Sequence, residues 1–155
     1  MRGIDMKLQR ATRLGLYAVL ELAGQPDKQL SRTDIADRFD VSSNHLSKVM
    51  RELGKEGLVE AVRGVGGGYR FSGNAKRTTL MDVIKIFEPF QLEGAGEREP
   101  GSNTEIGRAL DLILDEINET IQATLNSISI ETMLMIKKRT EKVTNRSAEQ
   151  VISAS

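Results

Sequence analysis

Residues 63–70 read RGVGGGYR: four glycines in eight residues, with an arginine at each end. Glycine is entropically costly to order and offers no side chain to pack, so RGVGGG does not read as regular structure. Strand-like segments flank it, LVEAV (58–62) before and YRFS (69–72) after. The stretch therefore reads as the tip of a β-hairpin. Gly64, Gly66, Gly67 and Gly68 then meet two needs: positive φ at a sharp turn, and no Cβ where the tip nears a groove wall. A phosphate-cradling loop is the rival reading. The G-x-x-x-x-G-K-[ST] spacing is missing, and the run does not open a helix.

The order of elements around the hairpin sets the fold class. TRLGLYAVLELAG (12–24) is apolar on nearly all sides and predicts a buried helix stopped by Gly24 and Pro26. Ser31, three residues before Asp34, starts a short second helix. A third runs from about Asn44 to Glu56, with Ser42 or Ser43 as its cap. Three helices followed by a hairpin make a winged helix-turn-helix. Thr79 and Asp82 then open a helix that Pro89 ends. The expected organisation is mainly α with a small β-hairpin wing. Residues 1–90 form a winged helix-turn-helix DNA-binding domain, 91–104 a loop, 105–139 dimerisation helices and 140–155 a flexible polar tail.

The third helix carries the chemistry. With Leu46, Val49, Met50 and Leu53 turned inward, Asn44, Lys48, Arg51 and Lys55 fall within about 60° of one another on the far side, and Ser47 flanks them. Amides pair with adenine, cations with guanine and hydroxyls with either. Asn44, Ser47 and Lys48, near the helix start, are the base-reading candidates. Arg51 and Lys55 lie further along and suit phosphates. Ser42, Ser43 and His45 complete the DNA-facing set. A solvated helix face carries similar residues, so this stripe gains weight from the hairpin beside it. Arg63 at the tip suits a narrow, negative minor groove. Arg70 suits a phosphate or plain solvent.

Charge and composition narrow the function. The chain is neutral overall, but residues 1–80 hold 14 Lys/Arg and 9 Asp/Glu, whereas 81–155 hold 8 and 13. A basic front half suits a polyanion. There is no cysteine and one histidine, so thiolate chemistry, a multi-histidine metal site and a Ser/His/Asp set are not expected. No enzyme activity, metal or cofactor is expected. No apolar run approaches the roughly 20 residues of a membrane span, and the first residues lack the apolar middle of a signal peptide. A cytoplasmic protein is expected.

The segments TRLGLYAVLELA, IADRFDVSSNHLSKVMRELGKEGLVEAVRGVGGGYRF and TTLMDVIKIFEPF resemble the Rrf-two family of winged-helix regulators, which includes the iron–sulfur sensors IscR and NsrR. The resemblance covers about residues 7–90 and continues more weakly through the long helix. It implies a homodimeric regulator, usually a repressor, on a pseudo-palindromic operator. By motif position it implies base contact for Asn44, Ser47 and Lys48, minor-groove contact for Arg63 and Gly64, and backbone contact for Thr12 and Arg13. Cluster-binding members hold iron through three cysteines in the loop before the long helix. This chain has none there, and Arg13 stands where some members place an acidic ligand.

From Glu105 to about Ser127 a long helix carries Ile106, Leu110, Ile113, Leu114, Ile117, Ile121 and Leu125, with Ile128 just beyond. The stripe is longer than a domain of about 90 residues can cover, so a second copy is the expected partner. Double-stranded DNA, itself and a small-molecule effector near 91–105 are the partners considered. Glu93, Glu97, Glu99 and Glu105 are that loop's acids, as suited to solvent as to a cation. The alternative is a winged-helix protein-interaction module without DNA binding.

Overall fold

The computed structural model describes residues 7–88 and 99–154. Loop residues 91–98, including Glu93 and Glu97, lie outside the described residues. The elements are α1 (Arg10–Ala23), α2 (Arg32–Arg38), α3 (Ser43–Lys55), β1 (Val59–Val62), β2 (Gly68–Phe71), α4 (Leu80–Phe87), α5 (Glu105–Ser127) and α6 (Ile130–Ser153). The mainly helical winged architecture expected from the sequence is the one observed.

Local chemistry explains the helix starts. Ser31 Oγ accepts from the Asp34 amide, and Ser42 Oγ from the His45 amide. Thr79 and Asp82 form a reciprocal capping box. Each satisfies amide donors that the first turn of a helix leaves without partners. The core lies between α1, α2, α3 and α4: Leu22, Ile35, Leu46, Leu53 and Val83 are buried almost completely. Tyr17, expected inside α1, is instead 41% exposed and stacks on Phe39 with ring centroids 5.3 Å apart.

The wing is antiparallel, with Val59 opposite Phe71 and Val62 opposite Gly68. Gly64 (φ 104°) and Gly66 (φ 74°) take the left-handed turn positions. Gly68 serves a different need. Leu30 bridges Tyr69 through a pair of backbone hydrogen bonds of 2.9 and 2.8 Å. A Cβ on Gly68 would lie 2.1 Å from the Leu30 carbonyl oxygen. The close approach that requires glycine here is to the chain's own backbone. Gly68→Ala is expected to cost about 1–3 kcal/mol through forced backbone shifts, read as a lower denaturation midpoint at unchanged slope.

The C-terminal half departs from expectation twice. The last helix was expected to end near 139, with 140–155 a flexible tail; α6 instead continues to Ser153. Residues 140–153 contain neither Gly nor Pro to break a helix, which polar composition had obscured. The stripe on α5 also divides. Ile106, Leu110, Ile113, Leu114 and Ile117 are 50–82% exposed. Leu125, expected at the dimer interface, is buried in its own chain with Met81 and Ile84, and Ile121 packs beside it. Ile128 is half-buried, and its carbonyl accepts from the Leu80 amide at 2.9 Å. The α5–α6 corner is thus stitched to the start of α4, and of the apolar stripe on α5 only the part from Ile106 to Ile117 is left exposed.

Candidate nucleic-acid interface

The helix-turn-helix places α3 with one face in the core and the other in solvent. Leu46, Val49, Met50 and Leu53 are its buried residues. Asn44, Lys48 and Arg51 are exposed, Ser47 and His45 half-buried. Among the described residues no acidic group pairs with Lys48 or Arg51. Lys55 differs: its ammonium sits 2.9 Å from Glu52, so part of its charge is spent locally. Ser42 and Ser43 are exposed at the helix start.

Two side chains bring the wing and α3 to one side of the molecule, and sequence reasoning passed over both. Gln29 donates from Nε2 to the Gly66 carbonyl at the wing tip. Arg32, in the first turn of α2, reaches Ser47 Oγ on α3 at 3.5 Å. The wing tip, the start of α2 and the outer face of α3 therefore form one continuous surface. Arg63 stands exposed on it without an acidic partner among the described residues, beside the fully exposed Val65. A signal for Arg32 was present: a cation at a helix N-terminus opposes the helix dipole, a placement that suits a polyanion better than it suits the helix.

Not every expected contact reaches this surface. Thr12, expected at the DNA backbone, is fully buried. Its hydroxyl donates to Glu88 at 2.8 Å, so it works as an internal tie. Arg13 is exposed and borders an open cleft of about 520 Å³ with Arg10, Tyr17, Phe39, Ser42 and His45. Arg10 is a second cation that the sequence reading left out. Arg70 is exposed, as expected, and is also paired with Glu60 directly across the hairpin.

The thiolate cluster ligands of the resembling family have no counterpart, because the chain contains no cysteine. The donor set for a cysteine-held iron–sulfur cluster does not fit this protein. Among the described residues no three His, Asp or Glu side chains converge as a metal site, and no helix is long and apolar enough to cross a membrane.

Comparison with known proteins agrees with this geometry. The HTH-type transcriptional regulator BadM of Rhodopseudomonas palustris is 46% identical over 155 residues, 97% of this chain and 98% of BadM. The solved structure of T. potens IscR superposes with a TM-score of 0.68 at 24% identity, covering 86% of this chain and 89% of that one. Staphylococcus aureus CymR gives 0.68 at 23%, covering 83% and 96%. These two show a shared fold. Residues 8–135 match the Rrf2 family, described as an iron-dependent transcriptional regulator. A winged helix-turn-helix with an open cationic face, whole-length likeness to a transcriptional regulator and this match make the chain a member of the Rrf2 family of DNA-binding transcriptional regulators.

Proposed function

We propose that the protein is a cytoplasmic homodimeric repressor that binds a pseudo-palindromic operator. Asn44, Ser47 and Lys48 read base edges in the major groove. Arg13, Arg32 and Arg51 hold phosphates, and Arg63 with Gly64 enters the flanking minor groove. The carrying observation is the surface that joins the outer face of α3 to the wing tip through Arg32 and Gln29. A solvated helix face has no reason to be coupled to a glycine-built finger. Dimerisation is supported by the six large apolar residues exposed between Ile106 and Ile117 on α5, Leu112 among them. Two-fold pairing sets recognition helices about one DNA turn apart, roughly 34–36 Å.

Fluorescence anisotropy with the chain's own upstream region tests this reading. The upstream duplex is expected to bind about 10³-fold or more tighter than a scrambled duplex of the same composition. Equal affinity for the two would sink it in favour of a module that does not read DNA. Asn44→Ala and Arg63→Ala are each expected to weaken specific binding by about 1–3 kcal/mol, on the scale of one good side-chain contact. Asn44→Ala should relax preference at one base pair, and Arg63→Ala should remove protection only at the flanks of the footprint.

A further inference from the structure

The family match ends at residue 135, yet α6 continues to Ser153, and from Met135 onward every described residue is exposed. This extension is patterned. At about 100° per residue, Ile136, Thr140, Val143, Ser147 and Val151 fall within about 80° of one another. The hydroxyls of Thr140 and Ser147 donate to the carbonyls of Ile136 and Val143 in their own helix. Their polarity is thus turned inward and the stripe is left weakly apolar. Along one edge run Arg139, Lys142 and Arg146, within about 60° of one another and without acidic partners among the described residues.

The first half of α5 is the complement. At the same 100° per residue, Glu105 and Glu116 flank its exposed apolar stripe on one side and Asp111 on the other, with Asp115 and Glu119 behind. Over its length α5 holds five acids and one base, whereas residues 136–153 hold five bases and two acids. The two arms also match in reach. Residues 105–120 and 136–153 span about 24 and 27 Å at 1.5 Å per residue, and both leave the corner at Ile128–Ser129. Within one chain they do not pack along each other.

We propose that the α6 extension of one protomer lies along the acidic first half of α5 of a second copy and clasps the dimer. The inference rests on the homodimer reading above. Glu105 and Glu116 lie on the same rotational side of the α5 stripe as Arg139, Lys142 and Arg146 do on α6, so antiparallel pairing brings these two edges together, whereas parallel pairing sets the basic edge beside Asp111. Antiparallel pairing of α6 with the other copy's α6 would set cation against cation.

The test is sedimentation of the full-length protein over a concentration series at low and high salt. Reversing the basic edge (Arg139→Glu, Lys142→Glu, Arg146→Glu) is expected to raise the dimer dissociation constant at least tenfold at low salt. The reciprocal acidic-edge reversal (Glu105→Lys, Glu116→Lys) should do the same, and the five changes together should restore the dimer. Deleting residues 140–155, of which every described residue is exposed, should weaken the dimer with the helical circular-dichroism signal otherwise retained. An unchanged dimer in the deletion, or no rescue by the combined reversal, overturns the clasp and leaves the homodimer intact. Loss of DNA affinity from the basic-edge reversal with an unweakened dimer also overturns it, making that edge a nucleic-acid contact. A wild-type chain that is monomeric at every concentration removes the homodimer itself, and the clasp with it.

Discussion

Raising the salt from 50 to 200 mM is expected to weaken operator binding by about 10³–10⁵-fold. The expectation comes from a count of free cations. Arg13, Arg32, Lys48, Arg51 and Arg63 lie on the proposed DNA face, are exposed and have no carboxylate partner among the described residues. In a dimer the phosphate-holding Arg13, Arg32 and Arg51 count twice, and Lys48 and Arg63 in the grooves add further neutralising charge, within the range of 6–10 contacts that gives a loss of this size. Each neutralised phosphate releases condensed counterions and adds about 0.9 to the slope of log K against log salt. Arg51→Ala, absent from both protomers, should flatten that slope by about 2 and weaken all sequences alike. Lys55→Ala should flatten it less, because Glu52 already holds the Lys55 ammonium. An affinity indifferent to salt would rule out phosphate contact by this face.

Leu46→Ala is expected to destabilise the fold by about 2–5 kcal/mol, the range for emptying a fully buried leucine site. Leu46 is 0% exposed and lies on the helix face opposite Lys48 and Arg51, among side chains from several elements. At about 2–4 °C per kcal/mol for a chain of this size, the melting temperature should fall by roughly 4–20 °C. Lys48→Ala, two residues away on the exposed side, should stay within about 0.5 kcal/mol of the parent while losing DNA affinity. Thermal melts and anisotropy on both variants separate the two faces of one helix. Equal melting temperatures would mean that α3 is not anchored as described.

Much of the DNA-binding half was legible because its signals are local. The caps at Ser31, Ser42 and Thr79, the inward spacing on α3 and the glycine tip each follow from a few neighbouring residues. Most of the misses are matters of who sits opposite whom. Thr12 reads like any exposed threonine until Glu88 is found across from it. Arg70 reads as free until the hairpin register sets Glu60 beside it. Leu125 continues the stripe of Ile113 and Ile117 in sequence, but Met81 and Ile84 cover it. Gly68 was assigned to a groove wall, whereas the crowding comes from Leu30, 38 positions earlier. The extension of α6 failed for a different reason: its stripe is made of Thr, Ser and Val, too weak to register as periodicity, and its helix formers resemble a solvated tail.

The first turn of α1 has no side-chain cap of its own: Gln9, at the cap position, provides no such bond. Glu88 supplies it from the far end of α4, accepting from the Gln9 amide and the Thr12 hydroxyl at 2.8 Å each. A cap borrowed across 79 residues exists only once α4 has docked, so a fragment ending after the wing would fray exactly where Arg10 and Arg13 emerge. The phosphate contact proposed for Arg13 would thereby depend on the completeness of the fold behind it.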